Sequence, residues 1–248
     1  MSHPLDAPIW NALTTEHARL AVASSESPLA LRYPADVLPM AAIKDETSTA
    51  LAQLRDLLDP PTSTRPGESI YLAAESLPSC PGLDILQPLP CLQMIYPHAV
   101  TIPFPPASDP ALSIVQLSAG DAPAMVALTD VAFPGFFRPR TYVLGNYYGI
   151  RRPAEPLESA TDLIAMAGER LALPGIRELS AVCTHPRSTG QGYAARLITH
   201  VLAQHAAAGL ETVLHVAVTN HRAIGLYRRL GFTDRREITL HHIRRTAH

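Results

Sequence analysis

The sequence predicts a mixed α/β protein, with a C-terminal α/β domain preceded by a smaller N-terminal α/β lobe. Three observations predict it. From residue 112 onward, strand-like apolar runs alternate regularly with amphipathic helical stretches. Before about residue 102, two helical stretches give way to short apolar runs between proline-rich loops. Between these parts lies PFPPASDP, whose prolines favour a stiff, extended connection. The expected division is therefore 1–102 for the lobe, 103–110 for the linker and 111–248 for the main domain.

In the lobe, NALTTEHARLAVA (11–23) and TSTALAQLRDLL (47–58) read as amphipathic helices, the second with Leu51, Leu54, Leu57 and Leu58 close to one face. The prolines of DPPTSTRPGES, SLPSCPGLDILQPLP and PHAVTIPFPPASDP argue against long helices and central strands. Short strands such as SIYLAAE (69–75) and LQMIY (92–96) fit better.

In the main domain, LSIVQLS (112–118) reads as a strand. Asp121 is placed to cap a helix whose first turn tolerates Pro123 and whose one face carries Met125, Leu128 and Ala132. TYVLGNYYGIR (141–151) and DLIAMAGERLAL (162–173) read as strands joined by the polar loop RRPAEPLESAT, and IRELSAVCT (176–184) is a third. GYAARLITHVLAQHAAAG (192–209) is a strong helix with Ala194, Leu197, Ile198, Val201 and Leu202 on one face. ETVLHVAV is a strand, NHRAIGLYRRLGF a short helix closed by Gly, and EITLHHI a last strand.

Composition narrows the function classes. A net charge of -2 gives no reason to expect nucleic acid or an anionic membrane as partner. No apolar run approaches the roughly 18 residues of a membrane span, and MSHPLDAPIW lacks the basic and apolar regions of a secretory leader. A soluble, cytoplasmic protein is expected. Cys80, Cys91 and Cys183 lack paired spacing and read as reduced, buried thiols. The histidines offer no ligand spacing, so no metal is expected.

The stretch THPRSTGQGYA (184–194) lies between a buried strand and the strong helix. The first N–H groups of a helix lack intrahelical partners and carry partial positive charge, which suits a phosphate. Gly190 and Gly192 permit positive φ and close approach to the backbone. A plain turn is the other reading, for the stretch is neither a dinucleotide fingerprint nor a P-loop.

Two segments decide between them. Val182-Cys-Thr-His-Pro186-Arg-Ser-Thr189-Gly190-Gln-Gly192-Tyr-Ala194 follows V-x-x-x-P-x-x-[RQ]-G-x-G-x-[GA] nearly throughout. Asn220-His-Arg-Ala223-Ile-Gly-Leu-Tyr227-Arg-Arg-Leu230-Gly231-Phe232 matches N-x-x-A-x-x-x-Y-x-x-x-G-F. With these motifs, in this order, the C-terminal half resembles the GCN5-related N-acetyltransferase (GNAT) superfamily, and within it the FR47-like acyltransferases. One departure is Thr189, where the family usually has Arg or Gln.

The resemblance implies a mostly antiparallel GNAT-type sheet with flanking helices, and acetyl-CoA as co-substrate in a cleft where the loop-bearing strand splays from its neighbour. The pantetheine arm would pair with Val182, Cys183 and Thr184. The pyrophosphate would lie on the amides of Gly190, Gln191, Gly192, Tyr193 and Ala194, with Thr189 beside them and Asn220 near the arm; Asn220 also reads simply as a helix N-cap. It implies acyl transfer to a primary amine of a small-molecule or amino-acid-like acceptor, with Tyr227 as the acid near the departing thiolate; Tyr227 also reads as part of a buried helix stripe with Ala223, Leu226 and Leu230. Glu178 is the first candidate base and Glu169 its competitor; each also reads as a solvated strand end. His215 reads as a satisfied core histidine or a base. The segment 133–149, with Phe136, Phe137, Arg138, Arg140, Tyr142, Tyr147 and Tyr148, would border the acceptor, its arginines suited to a carboxylate, or else pack as surface. The lobe would shape the acceptor side, in one form as a degenerate copy of the same fold. The alternative is a catalytically silent CoA-binding or protein-interaction module with the same fold.

Overall fold

The computed structural model describes residues 3–97, 112–152 and 162–247. The expected linker 103–110 and nearly all of the polar loop 151–161 lie outside them.

The N-terminal part runs through a 3-10 turn at Pro4–Asp6, α1 (Pro8–Thr14), a second 3-10 turn at Ala18–Leu20, β1 (Ala30–Arg32), β2 (Met40–Ile43), α2 (Ser48–Asp56), β3 (Ser69–Ala73) and β4 (Leu83–Tyr96). The remainder holds β5 (Ile114–Leu117), α3 (Ala122–Ala132), β6 (Tyr147–Arg151), β7 (Leu163–Leu173), β8 (Ile176–Thr184), α4 (Tyr193–Ala207), β9 (Glu211–Ala217), α5 (His221–Arg229) and β10 (Thr233–Arg245). All ten strands share one sheet in the order β1-β2-β3-β10-β4-β9-β8-β7-β6-β5. Only β2 with β3 and β8 with β9 run parallel; the other pairs are antiparallel. Strands from both sides of the expected boundary are thus hydrogen-bonded into one sheet.

β4 corrects the reading that its prolines exclude a central strand, for it lies between β9 and β10. Its bonding explains the tolerance. β9 pairs only with Cys91–Tyr96, so Pro88 and Pro90 lie before that ladder, and on this side Pro90 only accepts, its carbonyl taking the Val218 N–H at 3.0 Å. There the missing N–H breaks no second ladder.

Two other expectations shift. The first helix starts at Pro8 and stops at Thr14, where Oγ1 of Thr14 and Thr15 bonds back to the carbonyls of Trp10 (2.9 Å) and Asn11 (2.5 Å). The expected strand 141–151 breaks at Gly145 into a 3-10 turn, Thr141–Leu144, followed by β6. A Cβ on Gly145 would run into the Glu169 side chain, so the chain turns where only glycine fits. Asp121 stands at the N-cap of α3 without a side-chain cap bond, because its carboxylate turns to Ser118 and Arg151.

α4 packs across β7 and β8 with Leu197, Ile198, Val201 and Leu202 buried in the main core. Tyr193 rather than Ala194 opens that buried stripe. Each such side chain contributes roughly 1.5–3 kcal/mol on burial, which fixes the helix start beside the end of β8. The three cysteines are free and buried.

Candidate cofactor and acceptor site

The site begins where two parallel strands part. β8 and β9 pair only through Ile176–Glu178 and Glu211–Val213. Beyond Glu178 they diverge, and the β9 side of β8 from Leu179 to Thr184 faces a groove. β8 carries a bulge there: Ser180 opposes Gly168 and Cys183 opposes Met166, so Ala181 and Val182 face the single Ala167. Ala181 is the one non-glycine residue among those described with positive φ, at 52°. A left-handed alanine costs roughly 1–2 kcal/mol, and the bulge re-aims the strand backbone at the mouth of the groove.

The loop after β8 makes a 3-10 turn at Pro186–Ser188, then passes Gly190 (φ 81°) and Gly192 (φ 76°). Gly192 is the N-cap of α4 and has no side chain with which to cap it. The first N–H groups of α4 therefore meet the groove unfilled, with the positive end of the helix dipole behind them. Thr189 turns its hydroxyl back to the Pro186 carbonyl at 3.2 Å. The Tyr193 ring is buried in the core, so only its backbone is offered to the loop. Across the groove, Asn220 caps α5 by accepting the Ala223 N–H at 3.1 Å.

Two cavities form one continuous groove. A cavity of about 350 Å³ is walled by Val182–Thr184, Ser188–Ala195 and the α5 face bearing Arg222, Leu226 and Arg229. A second, of about 390 Å³, continues from Val182–Thr184 toward Phe136, Phe137, Tyr147, Arg170 and His215, with Leu38, Leu89 and Cys91 added from the N-terminal part. Val182, Cys183, Thr184, Asn220 and Tyr227 line both. The structure thus brings all ten cofactor-side residues expected from sequence onto one groove. Tyr227 stands at the junction, and burial pushes its phenol up to about 12. Among the described residues its hydroxyl has no hydrogen-bond partner. It is a protonated donor throughout the neutral range.

Glu178 does not have the surroundings of a base. It is fully buried, and Arg170 donates to it through Nε (Oε2, 3.0 Å) and Nη2 (Oε1). His215 Nδ1 is 2.7 Å from Oε1. Arg170 and His215 outweigh the desolvation that opposes them and hold the carboxyl down at about 2. Both of its oxygens already accept hydrogen bonds, and its affinity for a proton is low. Nor is His215 a free base. Gln93 Oε1 accepts from Arg235 at 2.6 Å, so its amide nitrogen faces His215 Nε2 at 2.8 Å and the Leu5 carbonyl at 3.0 Å. Nε2 accepts, and Nδ1–H donates to Glu178. Arg235 continues the chain to Asp6 at 2.6 Å, tying the N-terminal turn to the floor of the groove.

Glu169 is absent from the groove wall. It braces the core, accepting from the Asn146 backbone at 3.1 Å with His205 Nε2 at 3.1 Å. The aromatic segment divides: Phe133, Phe136, Phe137 and Tyr147 line the second cavity, whereas Arg138, Arg140, Tyr142 and Tyr148 do not. Arg140 pairs with Asp36 at the surface instead. The charged groove residues missed in sequence are Arg170, Arg222 and Arg229. The last two are seven apart on α5 beside Leu226, a spacing that could have placed them together. Nothing local marks Arg170, which depends on a partner on the neighbouring strand, Glu178 of β8.

Among the described residues no three His, Cys, Asp or Glu side chains cluster as metal ligands, and no helix is long and apolar enough to cross a membrane. The FR47-like protein family model matches residues 157–240. The chain is 35% identical to a GNAT-family protein of known structure from Novosphingobium aromaticivorans, over 99% of this chain and 100% of that one, with a TM-score of 0.82. A GCN5-related N-acetyltransferase from Kribbella flavida shares the fold at 20% identity, with a TM-score of 0.59 over 97% of this chain and 93% of that one. A GCN5-related N-acetyltransferase-like protein from Streptococcus suis does so at 11%, with a TM-score of 0.57 over 96% and 94%. Comparison with curated proteins gives no match. The mostly antiparallel sheet, split at β8 and β9 above a glycine loop, defines a fold of the acyl-transfer class. The chain belongs to the GNAT family, with an FR47-like segment.

Proposed function

We propose that this protein is an acetyl-CoA-dependent N-acetyltransferase acting on the primary amine of a small acceptor. The observation that carries this reading is Tyr227. Its unpartnered, protonated hydroxyl stands where a cavity floored by helix N–H groups meets a second cavity with an aromatic wall.

The groove fits the co-substrate on three counts. The unpaired side of Val182–Thr184 offers strand-edge hydrogen bonds to an amide-bearing arm. The left-handed backbone at Gly190 and Gly192 carries no side chain to block a pyrophosphate from the start of α4. Arg222 and Arg229 add positive charge on the facing wall, a substitute for the basic or amide side chain that Thr189 replaces. Asn220 borders the arm.

In the transfer, the amine nitrogen bonds to the acyl carbon, the carbon–sulfur bond breaks, and one N–H proton is lost as the thiolate gains one. Tyr227 is the proton donor to sulfur. The Val182 amide, released from the ladder by the bulge, is placed to donate to the developing oxyanion. With Glu178 occupied, the acceptor enters as the free amine and Glu178 is a positioning residue that holds Arg170 and His215. The N-terminal part contributes to the acceptor wall through Leu38, Leu89 and Cys91.

Calorimetric titration with acetyl-CoA, followed by thiol release with an amine panel, tests the reading. Micromolar binding with turnover supports it. Binding without turnover favours a silent CoA-binding module, and no binding removes both.

A further inference from the structure

The wall of the acceptor cavity has an unusual charge inventory. Among the described residues that line it there is no carboxylate, and Arg170 is the one permanently charged side chain. A cationic or polyamine acceptor would find no counter-charge there. The remaining wall is largely aromatic and aliphatic, with Phe133, Phe136, Phe137, Leu38 and Leu240 around it. The polar groups near these side chains are mostly committed already. The Tyr147 hydroxyl donates to the Glu169 carbonyl at 2.6 Å, Thr141 Oγ1 donates to the Val37 carbonyl at 2.7 Å, and His215 is bonded at both nitrogens.

Arg170 is the exception. Its Nε and Nη2 are taken by Glu178, but Nη1 has no hydrogen-bond partner among the described residues. Oγ1 of Thr199 is the one buried, unpaired side-chain nitrogen or oxygen among them, so Nη1 is not sealed from solvent. A guanidinium nitrogen carries two N–H donors, and on an apolar wall a donor without a partner selects an oxygen anion. Glu178 fixes the guanidinium plane in advance, which spares the ordering cost when an acceptor binds.

We propose that the acceptor is an apolar α-amino acid, its carboxylate held by Nη1 of Arg170 and its side chain by the aromatic wall. This rests on the acetyl-transfer reading above and names its substrate class. It also moves carboxylate recognition from Arg138 and Arg140, where the sequence suggested it, to a strand residue of β7.

The test uses matched pairs with the intact protein and acetyl-CoA, following thiol release and correcting for the free-amine fraction. The pairs are L-phenylalanine with phenethylamine and L-leucine with isopentylamine, with L-phenylalanine amide as a third arm. The wild type is expected to favour each acid over its decarboxylated amine by about tenfold or more in kcat/KM. Arg170→Lys, which keeps a cation beside Glu178, is expected to reduce that ratio toward one. Equal use of acid and amine overturns the proposal while the enzyme reading stands. A preference for the amide equal to that for the acid also overturns it, assigning Nη1 to a neutral carbonyl such as that of a peptide N-terminus. Acetyl-CoA binding with no turnover of the panel overturns the acceptor class alone. Loss of acetyl-CoA binding removes the enzyme reading itself. The wild-type ratios decide the matter even if the variant folds poorly.

Discussion

The guanidinium of Arg170 on β7 and the carboxylate of Glu178 on β8 meet beneath the groove, Nε donating to Oε2 at 3.0 Å and Nη2 to Oε1. His215 on β9 joins Oε1 from the other side at 2.7 Å. Three adjacent strands are thereby pinned at the point where β8 and β9 stop pairing. The split is anchored by charge as well as by packing.

Removing one partner should therefore be costly. Glu178→Gln leaves Arg170 without its counter-ion in a buried site and is expected to destabilise the protein by about 3–5 kcal/mol. Denaturant unfolding with the slope held constant checks this. A loss below 1 kcal/mol would show that the pair is not what holds the split.

The same residue gives a pH signature. Its folded value of about 2 lies below the ordinary 4.5, so its contribution to stability is complete above about pH 4.5 and is lost as the pH falls toward 2. Wild type should lose more stability across that window than Glu178→Gln does. Parallel curves for the two proteins would contradict the assignment.

Tyr227→Phe removes the proposed acid and keeps the ring against Phe232. It is expected to lower kcat by about 100-fold or more with acetyl-CoA affinity unchanged. Without a protein base, the rise of kcat/KM with pH should follow the acceptor's own ammonium group. Changing to an amine of lower pKa should move the midpoint by the same interval, and a midpoint that stays put would point to a group on the protein.

Arg222 and Arg229 are expected to act on phosphate alone. The double change to alanine should weaken acetyl-CoA binding about tenfold and flatten its salt dependence. S-acetylpantetheine, which lacks the phosphates, should bind both proteins equally; an equal loss for both ligands would place the arginines elsewhere.

Ala181 offers a test of the bulge. Ala181→Gly removes the Cβ cost of a φ of 52° and is expected to raise stability by up to about 1 kcal/mol. Ala181→Val should lower it, read as opposite shifts in Tm. A destabilising glycine would mean that the alanine is not strained there.

Much of this site was legible in the chain because its parts are local. Gly190, Gly192 and the helix they open are contiguous, and a turn followed by the stripe Leu197, Ile198, Val201 and Leu202 needs no distant partner to be read. The cap at Asn220 and the Tyr227 stripe are local in the same way. The roles of Glu178, Glu169 and His215 were not legible. A glutamate at a strand position looks the same whether it meets solvent, an arginine or a histidine, and those partners lie 8 to 37 residues away. The prolines of β4 misled for a related reason: proline forbids one hydrogen bond, and only the sheet shows which neighbour would have needed it.

By itself, then, the sequence determined the helices from α2 onward, most of the strand segments, the glycine turn and the family motifs, because periodicity, caps and backbone freedom act over a few residues. The tertiary structure decided which strands adjoin, where β8 leaves β9, and which charges meet in the space beneath. Those follow from long-range pairing and burial, which set whether a carboxylate is a base or a brace.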